Sequence, residues 1–165
     1  MTIKFINKTF NMKKLVFTVL VLFMASYAMA QNSNDYIEVV RSVLKTEKKA
    51  AIAEVMTLSE AEAEVFWPLY NEYNEKMYAI QTKRIKIIQD FAEHFATISD
   101  EKADELWSGY LKYRQELLNL NKLYYKKFKK ILPASKAMKY FQAENKIATL
   151  VDFELALEIP MIETE

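Results

Sequence analysis

The chain has 165 residues, with 23 lysines and arginines against 22 aspartates and glutamates, one glycine, three prolines and no cysteine. The missing cysteine excludes disulfides, thiolate metal sites and a thiol nucleophile, and the even charge balance lacks the basic excess of a nucleic-acid-binding domain. One glycine and three prolines are too few for the turns of a sheet, so an all-α fold is expected.

The N-terminus reads as an export signal. Lys4, Lys8, Lys13 and Lys14 precede an apolar stretch from Leu15 to about Met24, then Ala28-Met29-Ala30 and the polar run from Gln31 to Asp35. That order is a cleavable leader, with the cut expected between Ala30 and Gln31 and Met12 an alternative start. The apolar stretch is shorter than the roughly 20 residues of a spanning helix, leaving an uncleaved anchor as the minor alternative. A lipid-anchored leader would need a cysteine at the cut, so the mature protein is expected to be free in the periplasm, with release to the medium the other destination. Residues 1–30 hold four of the 23 basic residues and none of the 22 acidic ones, which puts the net charge of residues 31–165 at −3. Those residues suit one domain with a core of its own.

Four helices follow. The first is expected from about Asp35 to Val55, where Ile37, Val40, Leu44, Ala51 and Val55 return at helical spacing. Thr57 to Glu62 forms a corner, with Ser59 as the next N-cap and Glu62 closing a capping box. The second helix runs to about Phe95 on a seam of Phe66, Tyr70, Tyr73, Met77, Ile80, Ile87 and Phe91, with Pro68 bending rather than ending it. A corner at Ala96 to Asp100, capped by Ser99, opens a third helix to about Ile131 carrying Leu106, Tyr110, Tyr113, Leu117, Leu120 and Tyr124. Pro133 opens a fourth to about Leu157. Helices two and three would each be on the order of 50 Å long, which predicts an elongated antiparallel hairpin within a four-helix arrangement.

A shift of 40 residues superposes Thr57 on Thr97, Ser59 on Ser99, Ala63 on Ala103, Trp67 on Trp107, Tyr70 on Tyr110 and Tyr73 on Tyr113. Either a duplicated unit or the common grammar of helix starts accounts for this. The corners Leu58-Ser59-Glu60-Ala61-Glu62 and Ile98-Ser99-Asp100-Glu101-Lys102 resemble the repeated Leu-Thr-x-x-Gln motif of the Spy and CpxP envelope-stress proteins, with Ser for Thr and with Glu or Lys for Gln. Phe66 to Tyr73 (FWPLYNEY), Leu132 to Ile147 (LPASKAMKYFQAENKI) and Ile159 to Met161 (IPM) resemble exported helical proteins of Bacteroidetes and related Gram-negative bacteria. The second resemblance implies compartment and helical fold. The first implies a dimeric cradle that holds unfolded clients, or a modulator of a stress or metal sensor.

Trp67, Tyr70, Tyr73, Met77, Trp107, Tyr110 and Tyr113 either line an adaptable surface for client polypeptide or pack as the hairpin core. Lys122, Lys126, Lys127, Lys129 and Lys130, interleaved with Tyr124, Tyr125 and Phe128, form a basic aromatic segment suited to anionic headgroups or an acidic client, or else a solvated helix end. Arg84 and Glu144 interrupt the apolar seams of helices two and four and are expected to pair with each other. His94 has no cysteine or second histidine to share a metal, so no metal and no cofactor are expected. With no glycine-rich phosphate loop and no thiol, a non-enzymatic binding protein is expected. Unfolded polypeptide is the expected partner and one specific envelope protein, bound in a regulatory role, the alternative.

Overall fold

The computed structural model describes residues 33–162, with side chains from residue 41 onward; the leader expected at residues 1–30 lies outside them. All four elements are α-helices: α1 (Ser33–Met56), α2 (Glu60–His94), α3 (Asp100–Ile131) and α4 (Ala134–Glu158), with a short 3-10 turn at Phe95–Thr97. No strand occurs among the described residues. Packing divides the chain into two compact units that meet between Ala51 and Ile52, inside α1. In the first unit, the Thr46 hydroxyl of α1 donates to the Ser42 carbonyl one turn back at 3.1 Å.

In the second unit the corners are built by local chemistry. Thr57 ends α1 with a left-handed φ of 45°, turning the chain out of the helix. Ser59 then caps α2: its Oγ accepts from the Glu62 amide at 3.3 Å while Glu62 accepts from the Ser59 amide at 2.9 Å. Two orphan donors of the first turn are satisfied reciprocally, worth about 1 kcal/mol for the serine alone. Ser99 repeats the first half of this arrangement, accepting from the Lys102 amide at 3.2 Å. Lys102 cannot return the bond, and its ammonium instead meets Asp90 and Glu105, each at 3.0 Å. Helix α2 runs on through Pro68.

Residue numbers rise along α2 as they fall along α3 in the pairs Tyr73 with Asn121, Lys83 with Glu116 and Asp90 with Lys102, so these helices form an antiparallel hairpin. Helix α4 packs back along α3, with Phe128 against Tyr140 at a centroid distance of 4.6 Å and Tyr125 against Phe141 at 5.6 Å. It therefore runs parallel to α2, as Phe66 with Tyr140 and Arg84 with Asp152 show.

The core is aromatic. Phe66, Tyr73, Tyr124, Phe128 and Tyr140 are buried beside Ile52, Met56 and Ala137. Edge-to-face and tilted ring pairs tie the three helices together, each worth about 0.5–1.5 kcal/mol beyond the area it buries. The one glycine, Gly109, lies against Ile87 of α2; an added Cβ would meet that side chain at an ordinary 3.6 Å.

Candidate functional site

The aromatic residues of the two superposable segments do not form one surface. Tyr70, Tyr73 and Tyr113 are buried in the bundle, and Trp67 packs edge-on against Phe66 at 5.0 Å and Tyr70 at 5.2 Å. Met77 is half-buried against the same core, its sulfur accepting from Gln81. Tyr110 is half-buried, whereas Trp107 stands 61% exposed, stacked on Tyr110 at 5.3 Å. Of the two readings left open for these seven residues, core packing describes Tyr70, Tyr73 and Tyr113, which are buried; Trp67, Met77 and Tyr110 are half-buried and Trp107 is exposed. The reason is stoichiometry of packing. Helix α2 is covered by both α3 and α4 around Phe66 to Tyr73, whereas the outer face of α3 has no helix of the second unit over Trp107.

That outer face carries more apolar side chains than the sequence reading assigned to it. Trp107, Leu111 and Leu118 are 61%, 52% and 46% exposed and recur at intervals of four and seven residues, which places them on one side of the helix. Near the end of α4, Phe153 and Leu157 are 59% and 66% exposed, four residues apart. Single exposed apolar residues are ordinary, but aligned rows of this kind are what interaction surfaces use. Leu111 and Leu118 were legible as a spaced pair; what masked them was the stronger inward seam of Leu106, Tyr113, Leu120 and Tyr124 on the same helix.

The expected pairing of Arg84 with Glu144 does not form. Arg84 donates to Asp152 at 2.6 Å and lies 5.9 Å from the Tyr113 ring. Helices α2 and α4 are in a register that sets Tyr73 beside Tyr140 and Phe141, and the same offset sets Arg84 beside Asp152. Glu144 lies eight residues earlier on α4, about 12 Å away along the axis. It is the one buried charged residue among those described, 8% exposed, and its neighbours are tyrosines. Burial, and then the charge of Glu144, push the Tyr70, Tyr73 and Tyr140 hydroxyls well above their ordinary range. Tyr73 donates to Asn121 at 2.7 Å, whereas the Tyr70 hydroxyl oxygen is buried with no hydrogen-bond partner among the described residues.

In the basic segment, Lys122, Lys126, Lys129 and Lys130 are exposed. Lys127 is drawn out of the set: its ammonium meets Glu72 at 2.9 Å and lies 4.6 Å from the Tyr124 ring centroid. Hydrogen bonds from Lys127 and Tyr124 hold the Glu72 carboxyl below its ordinary range. Lys129 lies over the Tyr125 ring at 5.1 Å.

His94 is joined by two residues the sequence reading passed over, Asp90 and Glu93, whose spacing of four and one from it was the available signal. The three donor atoms lie within 4.8 Å of one another. The Lys102 ammonium already neutralises Asp90, and the His94 ring nitrogen Nδ1 lies 2.8 Å from the Asp90 carbonyl oxygen. The trio is half-buried to exposed and internally paired, and no chemistry is assigned to it.

No family model matches the chain, and no curated protein or solved structure is significantly similar to it.

Proposed function

We propose that the chain is an exported, non-enzymatic binding protein of a bacterial envelope, and that it holds apolar segments of unfolded polypeptide on the outer face of α3. The observation that supports this reading is the aligned exposure of Trp107, Leu111 and Leu118 on a helix whose opposite side is fully committed to the core. A flat row of one indole and two leucines offers apolar area without a defined pocket, which suits partners of varied sequence. Export rests on the leader pattern at residues 1–30.

The test is suppression of aggregation of two unrelated denatured proteins by substoichiometric amounts of the chain. Trp107→Ala/Leu111→Ala/Leu118→Ala should weaken suppression of both clients by several-fold while leaving helicity and thermal stability nearly unchanged, since all three side chains are exposed. Wild-type protein that suppresses neither client, or a triple variant as active as wild type, refutes the reading.

A further inference from the structure

From Leu117 to Ala143 the chain contains seven lysines and no aspartate, glutamate or arginine, although residues 31–165 as a whole are acidic. This stretch is the second half of α3, the corner at Leu132 and Pro133, and the start of α4. Two of the seven are neutralised by α2, Lys127 by Glu72 and Lys136 by Glu62. The other five, Lys122, Lys126, Lys129, Lys130 and Lys139, are exposed and have no carboxylate partner among the described residues. Lys146 lies seven residues beyond Lys139 and so extends the same side of α4.

Helix electrostatics do not account for the set. A helix C-terminus favours cations within its last turn, which covers Lys129 and Lys130 of α3. Lys122 and Lys126 lie further back, and Lys139, the sixth residue of α4, is far from that helix's C-terminal turn. Between the two helices is a shallow groove with an apolar floor of Tyr125, Met138 and Phe141, edged by Lys146. Met138 is 52% exposed there. Exposed lysines on the same two helices as a shallow apolar strip suit a surface that rests on headgroups and lets its apolar atoms touch the acyl boundary.

We propose that the α3–α4 corner docks the chain on an anionic lipid surface, peripherally and without spanning it. The choice of lysine over arginine favours lipid over an acidic protein. Fixed carboxylates are best met by the planar, bidentate guanidinium, whereas a diffuse layer of headgroup charge asks only for mobile point charges. No helix among the described residues is long and apolar enough to cross a membrane, so attachment at this corner is interfacial. This surface is separate from the Trp107 row, and the inference does not rest on the polypeptide-holding reading.

Co-sedimentation of the full chain with phosphatidylglycerol-containing and pure phosphatidylcholine vesicles tests it, every variant sharing residues 1–30. Each lysine near an anionic surface raises partition roughly fivefold. Replacing Lys122, Lys126, Lys129 and Lys130 together by Gln should therefore lower partition to the anionic vesicles about a hundredfold or more. The same loss should follow for wild type at about 1 M salt, where the screening length falls to about 3 Å. Replacing Lys45, Lys76, Lys86 and Lys112 by Gln changes the net charge equally and should leave most of the affinity, with circular dichroism verifying that both variants stay helical. Equal losses in the two variants, equal binding of wild type to both kinds of vesicle, or binding to polyglutamate without binding to anionic vesicles would each overturn the proposal.

Discussion

Raising the pH should unfold this protein through its buried tyrosines. Tyr70, Tyr73 and Tyr140 are 2%, 1% and 0% exposed, and burial, reinforced by Glu144, holds their hydroxyls protonated beyond the ordinary range. Below pH about 10 both the folded and the unfolded chain keep these protons. Above it the unfolded chain releases them and the folded chain does not, so the unfolded state binds fewer protons and stability falls as pH rises. Each such tyrosine contributes a slope of up to roughly 1.4 kcal/mol per pH unit, about 4 kcal/mol for the three together. Against a typical stability of about 5–15 kcal/mol, the folded state should be lost cooperatively within roughly one to four units above pH 10. Tyrosinate absorbance and far-ultraviolet circular dichroism, followed together, provide the assay. A step of tyrosinate formation from the buried tyrosines should coincide with loss of helix. Tyr70→Phe/Tyr140→Phe removes two of the buried groups and should lower the slope by up to about 2.7 kcal/mol per pH unit, a change that loss of lysine charge at the same pH cannot mimic. Smooth ionisation of every tyrosine near pH 10 with the helices intact, or an unchanged slope in the double variant, would refute the reasoning.

Substitutions at three positions test the local energetics. Thr57 keeps a β-branched side chain at a φ of 45°, where a Cβ costs roughly 1–2 kcal/mol, so Thr57→Gly should gain about 1 kcal/mol even after the entropy glycine loses on folding. A differential scan should show this as a rise in Tm that Thr57→Ala, which retains the Cβ, does not reproduce. Tyr70→Phe removes a buried hydroxyl that has no hydrogen-bond partner and should stabilise by about 1 kcal/mol, whereas Tyr73→Phe breaks the bond to Asn121 and should cost a similar amount. Urea midpoints that move in the same direction for both variants would contradict the assignment of partners.

The helices themselves were legible because their signals are local. Ser59 with Glu62, Ser99 and Pro133 mark helix starts through bonds that span three or four residues, and the structure places the boundaries within two residues of those positions. The inward seam at Phe66, Tyr70 and Tyr73 and at Leu106, Tyr113 and Tyr124 follows from the helical period alone, so the all-α hairpin needed no tertiary information. Register between helices is different in kind. Arg84 meets Asp152 rather than Glu144 because the offset of α4 against α2 is set by how Phe66, Tyr73, Phe128 and Tyr140 interlock, and no local pattern encodes that offset. Trp67 and Trp107 occupy equivalent places in the superposable segments, yet one packs on the buried Phe66 and Tyr70 and the other faces out on Tyr110. Lysine 127 likewise looks like its neighbours in the sequence and is separated from them by Glu72 of another helix. Local patterns of caps, prolines and apolar spacing set where each helix begins, ends and turns its apolar side. Only the packing of three helices decided which of those side chains remained free to meet another molecule, because exposure depends on what lies across the interface and not on the residue's own helix.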